Sequence, residues 1–228
     1  MPLQDKFIEG IVLKNFTYRE DQRIILVFTR EKGLLKFLAK GLFARKSRKI
    51  SLTSPLTKIE CICTPPRSGE FYYFKDISLK DSFETLKTEY HYLEIAGKMV
   101  QGILKSQLPE KAAPLLFDLL SSYLRNIPLC QNPLSLLASF YLKILRHEGL
   151  LSLPFQCAIC EKSEAAAFWR QDIVCSFCAP TGSLQLSDEE QNLLTNLALL
   201  KNFSQTEKLS ISQTLAEKVS AFFFAILA

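Results

Sequence analysis

Apolar and polar positions alternate along much of the first 80 residues. The alternation is clearest over 34–40, where Leu35 and Phe37 fall on one face and Lys36 falls on the other. A period of two is the pattern of a β-strand with one buried face. Segments 7–16 and 56–63 also alternate, 23–29 is a continuous apolar, β-branched run, and 71–77 follows a turn at 65–69. A short hairpin loop is predicted at 31–33. Five short strands at this spacing predict a small closed or partly open barrel.

The spacing of apolar residues becomes helical from Asp81 onward. Asp81 and Glu84 have the three-residue separation of a capping box at a helix N-terminus. Segment 134–148 carries the most regular apolar stripe, and Gly149 predicts the end of that helix. Two more capping boxes are predicted, at Ser187 with Glu190 and at Ser210 with Gln213, the latter opening the last helix.

Strands followed by helices predict an α+β chain of two domains. We expect a barrel in 1–80 and a helical domain in 81–228, with a cysteine-rich insert at about 155–182. The charge follows the same division, since 1–80 carry 16 Lys and Arg against 8 Asp and Glu, and the remainder 12 against 15. This asymmetry favours a polyanion-binding module at the front, although a basic face that serves only solubility has the same composition.

Four of the seven cysteines form two CxxC pairs, Cys157 with Cys160 and Cys175 with Cys178, separated by 14 residues. This spacing is typical of tetrahedral zinc, and the intervening residues suffice for a hairpin. Its candidate strands are 168–169 and 173–174. Four thiolates leave no open coordination position, so the predicted site is structural.

Two alternatives remain for these cysteines: a pair of disulfides, or a redox-active CxxC. Neither CxxC is followed by the glycine that eases a metal-knuckle turn, because Glu161 and Ala179 stand there. We predict that the other cysteines, Cys61, Cys63 and Cys130, are small core residues.

The segment 40–49 is rich in basic residues and contains no acidic one. Phosphate groups are the expected partners of Arg45, Lys46, Arg48 and Lys49. Further positive charge in the same module comes from Lys14, Arg19, Arg23, Arg30, Lys36 and Lys40. The aromatic run 71–74 puts two rings on each face of a strand. The outer pair either stacks on bases or covers the joint with the helical domain.

Catalytic and membrane functions find little support. His91 and His147 lie in helical segments, and neither a glycine-rich phosphate loop nor a Ser/His/Asp arrangement is present in the sequence. The apolar segment 219–228 is too short to span a bilayer. Charges alternate with apolar residues at the N-terminus, unlike a signal peptide. We therefore expect a cytoplasmic protein that is not an enzyme.

Together these features resemble the RecO family of bacterial recombination mediators. The resemblance is carried by GIVLK (10–14), YREDQR (18–23), FTREKG (28–33), KG (40–41), KSR (46–48), LKIL (142–145), Gly149, Pro154 and CAIC (157–160). It implies an N-terminal OB-fold barrel and a helical domain carrying an inserted zinc motif. It also implies that Lys40, Arg45, Lys46 and Arg48 contact DNA and that the four paired cysteines bind Zn²⁺.

The function that the resemblance implies is DNA recombination and repair. Members bind single- and double-stranded DNA and anneal complementary strands. With RecR, they help to load RecA onto strands coated by single-stranded-DNA-binding protein, which would place this protein at the nucleoid. Two other hypotheses remain open: a protein-interaction adaptor with little DNA affinity of its own, and an RNA-binding OB protein.

Overall fold

A computed structural model describes most of the chain. The described residues are 5–19, 22–40, 51–66, 68–153, 155–162, 165–201, 203–206 and 209–228. The chain divides into two compact units, Met1–Thr88 with Gln107–Leu124, and Glu89–Ser106 with Arg125–Ala228. The first unit thus includes a segment from beyond the strands, while the domain boundary at residues 80 and 81 stays a prediction.

The first unit contains a closed five-stranded barrel, as the alternating pattern predicts. Its strands are β1 (Lys6–Arg19), β2 (Gln22–Thr29), β3 (Gly33–Lys40), β4 (Thr57–Thr64) and β5 (Phe71–Asp81). They pair in the order β1-β2-β3-β5-β4, and β4 pairs back to β1. The β3–β5 pair is parallel and the others are antiparallel. A five-stranded barrel of this kind is OB-like, and the predicted α+β class is confirmed.

Alternate residues of each strand fill the barrel. Ile25, Phe37 and Tyr72 lie opposite one another on successive strands, and all three are buried. The Phe37 ring stacks on that of Phe74 at 4.1 Å between centroids. Cys61 and Cys63 belong to the same core, which confirms the prediction for these two residues.

The helices follow the strands in the sequence. They are α1 (Tyr90–Ser106), α2 (Pro114–Asn126), α3 (Pro133–His147), α4 (Asp188–Leu199), the short α5 (Phe203–Thr206) and α6 (Gln213–Ile226). None of the helices in the described part of the chain is both long and apolar enough to cross a membrane.

Helix α2 packs on the outside of the barrel within the first unit. The centre of the Phe117 ring lies 6.0 Å from that of the Phe28 ring, and the Lys58 ammonium lies 5.2 Å from the centre of the Phe117 ring. Lys58 Nζ also lies 2.8 Å from Glu9 Oε1 and donates to Ser121 Oγ at 3.3 Å. A buried ammonium is tolerated because it has these polar partners.

The segment before α2 passes close to β3 at Gly33, and this position requires glycine. Its φ is +65°, a conformation that only glycine adopts without strain. A Cβ atom there would meet the Lys111 carbonyl group, and no side-chain movement could relieve a clash with backbone. Next to it, Glu110 N donates to Leu34 O at 3.0 Å, which joins β3 to the segment before α2.

Helix α3 is the centre of the second unit, because α1, α4 and α6 all pack against it. Tyr141 is buried on α3, donates its hydroxyl to Lys98 O at 3.0 Å and stacks on Phe223 of α6 at 4.2 Å. Gly149 has a φ of +72° and donates to Arg146 O at 3.1 Å, which confirms the predicted end of α3.

Two of the three predicted capping boxes are wrong. Asp81 ends β5, and its carboxylate accepts from Phe83 N at 2.9 Å, so that a short 3₁₀ turn follows and α1 begins only at Tyr90. At the last helix the cap is Ser212, whose hydroxyl accepts from Leu215 N at 3.2 Å.

The remaining capping box is confirmed. Ser187 Oγ accepts from Glu190 N at 3.1 Å, and the Glu190 carboxylate accepts from Ser187 N at 3.0 Å. This box opens α4.

Candidate nucleic-acid interface and metal centre

The four paired cysteines converge on one point. Their Sγ atoms all lie within 4.8 Å of one another, and Cys160 Sγ is 3.7 Å from Cys175 Sγ. A tetrahedral ion with metal–sulfur bonds of about 2.3 Å sets its sulfur atoms about 3.8 Å apart. The arrangement therefore fits a four-thiolate metal site.

Backbone hydrogen bonds build the two turns that aim these thiols. Glu161 N donates to Cys157 O, and Ala179 N donates to Cys175 O, both at 2.9 Å. Between the turns run β6 (Ala165–Trp169) and β7 (Asp172–Cys175), which pair antiparallel and confirm the predicted hairpin. A two-residue strand, β8 (Leu184–Gln185), adds to β6. We call 155–185 the ribbon.

The absent knuckle glycine matters at only one of the two turns. Glu161 has a φ of +60°, in the left-handed region where a side chain costs about 1–2 kcal/mol. Ala179 has no positive φ. The first knuckle therefore carries this backbone strain, and the second does not.

Backbone donors favour ionisation of Cys157 and Cys175, whereas the hydrogen bond with Cys175 raises the pKa of Cys178 to about 12. Burial of Cys157 opposes ionisation, but hydrogen bonds from backbone N–H groups lower its pKa to about 6. The backbone N–H of Cys178 likewise lowers the pKa of Cys175. Thiolates are the form that binds metal. All seven cysteines lie in the described part of the chain and carry free thiols, so no pair forms the disulfides considered above.

A cationic row crosses the outer face of the barrel. Lys14 lies opposite Leu26, Leu26 opposite Lys36, and Lys36 opposite Phe71 on four successive strands. The adjacent row of Ile25 and Phe37 is buried inside, so the row containing Lys36 faces outward. Gln22 of β2 lies opposite Arg19 of β1 on one side and opposite Lys40 of β3 on the other.

The residues predicted to contact DNA do not all lie on the same face of the barrel. Arg19 is exposed, with its guanidinium 5.3 Å from the centre of the Tyr18 ring. Lys36 pairs with Glu70 at 2.5 Å. Arg23 lies opposite Ala39, a core residue, and thus follows the inner row towards the barrel end rather than the outer row. Arg45, Lys46, Arg48 and Lys49 lie outside the described residues, as does Phe43.

The structure adds two exposed rings that the sequence analysis did not single out. Phe16 and Tyr18 lie near the end of β1, each with close to half of its side chain exposed. Their signal in the sequence was the regular spacing of Lys14, Phe16 and Tyr18, each two residues after the one before. The 71–74 run divides between two faces as predicted, with Tyr72 in the core, Phe74 packed against the core and Tyr73 exposed.

Comparison with known proteins identifies the family. The model of the N-terminal part of recombination protein O matches residues 5–83, and the model of its C-terminal part matches residues 90–228. The chain belongs to the RecO family. The RecO resemblance carried by the sequence motifs is therefore confirmed over almost the whole chain.

Individual RecO proteins are similar over most of their length. The DNA repair protein RecO of Chlamydia muridarum is 32% identical over 203 residues, covering 87% of this chain and 85% of the relative. That of Chlamydia pneumoniae is 29% identical over 230 residues, covering 95% and 86%. That of Caldicellulosiruptor saccharolyticus is 28% identical over 220 residues, covering 92% and 87%.

Proposed function

We propose that this RecO-family protein is a DNA-binding recombination mediator. It binds single- and double-stranded DNA, anneals complementary strands and helps to load RecA onto DNA coated by single-stranded-DNA-binding protein. The observation that supports this proposal is the cationic outer face of the OB-like barrel, where Lys14 and Lys36 share one row and Arg19 lies nearby.

Cations on this face bind DNA through the sugar–phosphate backbone. Such contacts hold a strand without regard to sequence and leave the base edges available for pairing, as annealing requires. The basic segment 41–50 follows β3 directly in the sequence, and on this proposal Arg45, Lys46, Arg48 and Lys49 also contact phosphates. About five phosphate contacts to a single strand give a log–log salt slope of about −3.5.

The remaining elements of the proposal follow from family membership. The protein acts without covalent catalysis, because capture and annealing need none. Its partners are RecR and single-stranded-DNA-binding protein, with RecA served indirectly, and it works in the cytoplasm at the nucleoid.

The four-cysteine site holds a structural Zn²⁺. Cys157, Cys160, Cys175 and Cys178 supply the four thiolates, and the ion crosslinks a ribbon whose own apolar core is small. Sites of this type contribute roughly 10–16 kcal/mol of binding free energy. With four thiolate ligands, the site would leave no position for a reactive water, and metal binding would contribute folding free energy to the ribbon.

The test compares DNA binding and annealing by the wild type and a charge-reversal variant. The variant R45E/K46E/R48E/K49E is titrated against a labelled 30-nucleotide strand from 50 to 200 mM salt, and K75E/K80E serves as the control. Lys75 and Lys80 are exposed but paired with Asp5 and Glu60 on the β4–β5 side of the barrel. Weakened binding and a flatter salt slope in the first variant alone support the proposal.

Other outcomes point to the alternative functions. Negligible DNA affinity of the wild type, together with capture of RecR or single-stranded-DNA-binding protein, indicates an adaptor. Preferential displacement of labelled DNA by RNA indicates an RNA-binding protein.

A further inference from the structure

Four exposed or half-buried aromatic rings lie on two strands of the barrel, near the cationic row. Phe16 and Tyr18 belong to β1, and Phe71 and Tyr73 belong to β5. Phe16 is 49% exposed, Tyr18 47% and Tyr73 41%, while Phe71 is half-buried. We call these four residues the ring strip.

The strip crosses the barrel because the end of β1 approaches β5. The pairing register between β1 and β2 shifts after Thr17, so that Tyr18 is the extra residue of a β-bulge. The centre of the Tyr18 ring lies 6.3 Å from that of the Phe71 ring. Phe71 and Tyr73 are two positions apart on one strand face, a separation of about 6.7 Å. Neighbouring bases along one strand of a duplex are only about 3.4 Å apart. Bases can therefore occupy successive rings only after they have unstacked.

Positive charge accompanies the rings. Lys36 lies directly opposite Phe71 in the strand register, Lys14 is in the same row, and the Arg19 guanidinium contacts the Tyr18 ring. A nucleotide has both a flat base and a phosphate, and a surface that alternates rings with cations complements both.

Another exposed apolar pair lies elsewhere on the same barrel. Phe7 and Ile62 lie opposite each other on β1 and β4, with Phe7 67% exposed. The nearby lysines Lys75 and Lys80 are neutralised by Asp5 and Glu60 at 2.6 and 2.7 Å. Lys36 is paired in the same way with Glu70, but Lys14 and Arg19 add positive charge beside the ring strip, and Phe7 therefore serves as the control ring.

We infer that the ring strip stacks on unpaired bases and gives the barrel a preference for single-stranded over duplex DNA. This inference rests on the proposed function, since it concerns the same face of the barrel. Stacking engages the flat faces of the bases, so their pairing edges stay accessible to a complementary strand.

The experiment measures binding of three dye-labelled probes by fluorescence anisotropy: oligo(dT) of 15 nucleotides, an abasic strand of the same length and a 15-base-pair duplex. The variant F16L/Y18L keeps apolar bulk but removes two flat rings, and F7L is the control. We expect F16L/Y18L to bind oligo(dT) at least tenfold more weakly than wild type, because one stacked base contributes about 1–3 kcal/mol. Binding to the abasic strand and the duplex changes less than twofold.

An equal loss on all three probes, or no loss on oligo(dT), would overturn the inference. Thermal melting of F16L/Y18L shows whether the variant remains folded, and the single variant Y18L replaces it if it does not. Failure of the proposed function is separate, because the wild type would then bind none of the three probes.

Discussion

The ion pair between Lys36 and Glu70 allows a test of the proposal that DNA binds across this face of the barrel. Lys36 Nζ is 2.5 Å from Glu70 Oε2, and both side chains are largely exposed. Glu70 therefore places a negative charge on the cationic row, beside Phe71. We predict that Glu70→Gln strengthens DNA binding, because it removes repulsion towards phosphate and leaves Lys36 free to replace a counterion.

The size of the expected increase in DNA affinity follows from the exposure of the two side chains. Exposed ion pairs contribute about 0–1 kcal/mol, so losing this one costs the fold little. Relief of a similar interaction with phosphate makes binding about two- to fivefold tighter at low salt. One additional phosphate contact steepens the log–log salt slope by about 0.7 for a single strand.

The assay is a salt series of anisotropy titrations with oligo(dT), with Glu60→Gln as the control. Glu60 is likewise a partly exposed carboxylate, paired with Lys80 at 2.7 Å, but it lies between β4 and β5 outside the ring strip. Unchanged affinity and slope in Glu70→Gln, or an equal gain in Glu60→Gln, would show that phosphates do not pass over Lys36.

Three further predictions concern stability and the metal. Lys58→Ala should lower the free energy of unfolding by about 2–3 kcal/mol in urea titrations, because the half-buried Glu9 loses its partner, whereas Lys80→Ala should change it by less than about 0.5 kcal/mol. Cys157→Ser, or chelation of the wild type, should abolish zinc retention measured by elemental analysis and shift the fluorescence of Trp169, which packs on the ribbon core. Burial, and to a smaller extent the nearby Arg146, lower the pKa of Lys143 from 10.5 to about 8 in the folded protein. Between these two pH values Lys143 is therefore protonated in the unfolded chain but largely neutral in the folded one. The stability of the wild type relative to Lys143→Met should therefore rise by about 1–2 kcal/mol from pH 8 to 10, and a flat difference in chemical denaturation would contradict this assignment.

The barrel was predictable because each strand carries its own signal. Inner residues such as Phe37 alternate with outer residues such as Lys36, and the period of two is independent of which strands pair. The same logic explains the cysteine site, where two short turns and a hairpin fix the geometry locally. The four cysteines that converge could thus be located from spacing alone.

Elements that depend on distant partners could not be predicted. The periodicity of α2 shows which of its faces is buried, but not that Phe117 packs on the barrel. The pattern at Asp81 suits a helix cap, yet pairing of Lys58 with Asp81 continues β5 to that residue. Tyr18 reaches Phe71 because of a bulge in β1, and a bulge leaves no mark on a simple alternation.

The contact between Gly33 and the Lys111 carbonyl also bears on how the chain is made. The barrel strands leave the ribosome before residues 107–124, and in the meantime the chain has supplied α1 to the other unit. During that interval Phe28 lacks Phe117, and the Lys58 ammonium lacks Ser121. After residue 88, the nascent barrel therefore exposes an apolar face until some 36 more residues have been translated. A fragment that stops at residue 88 would retain this face permanently, so a minimal barrel fragment has to include the later segment.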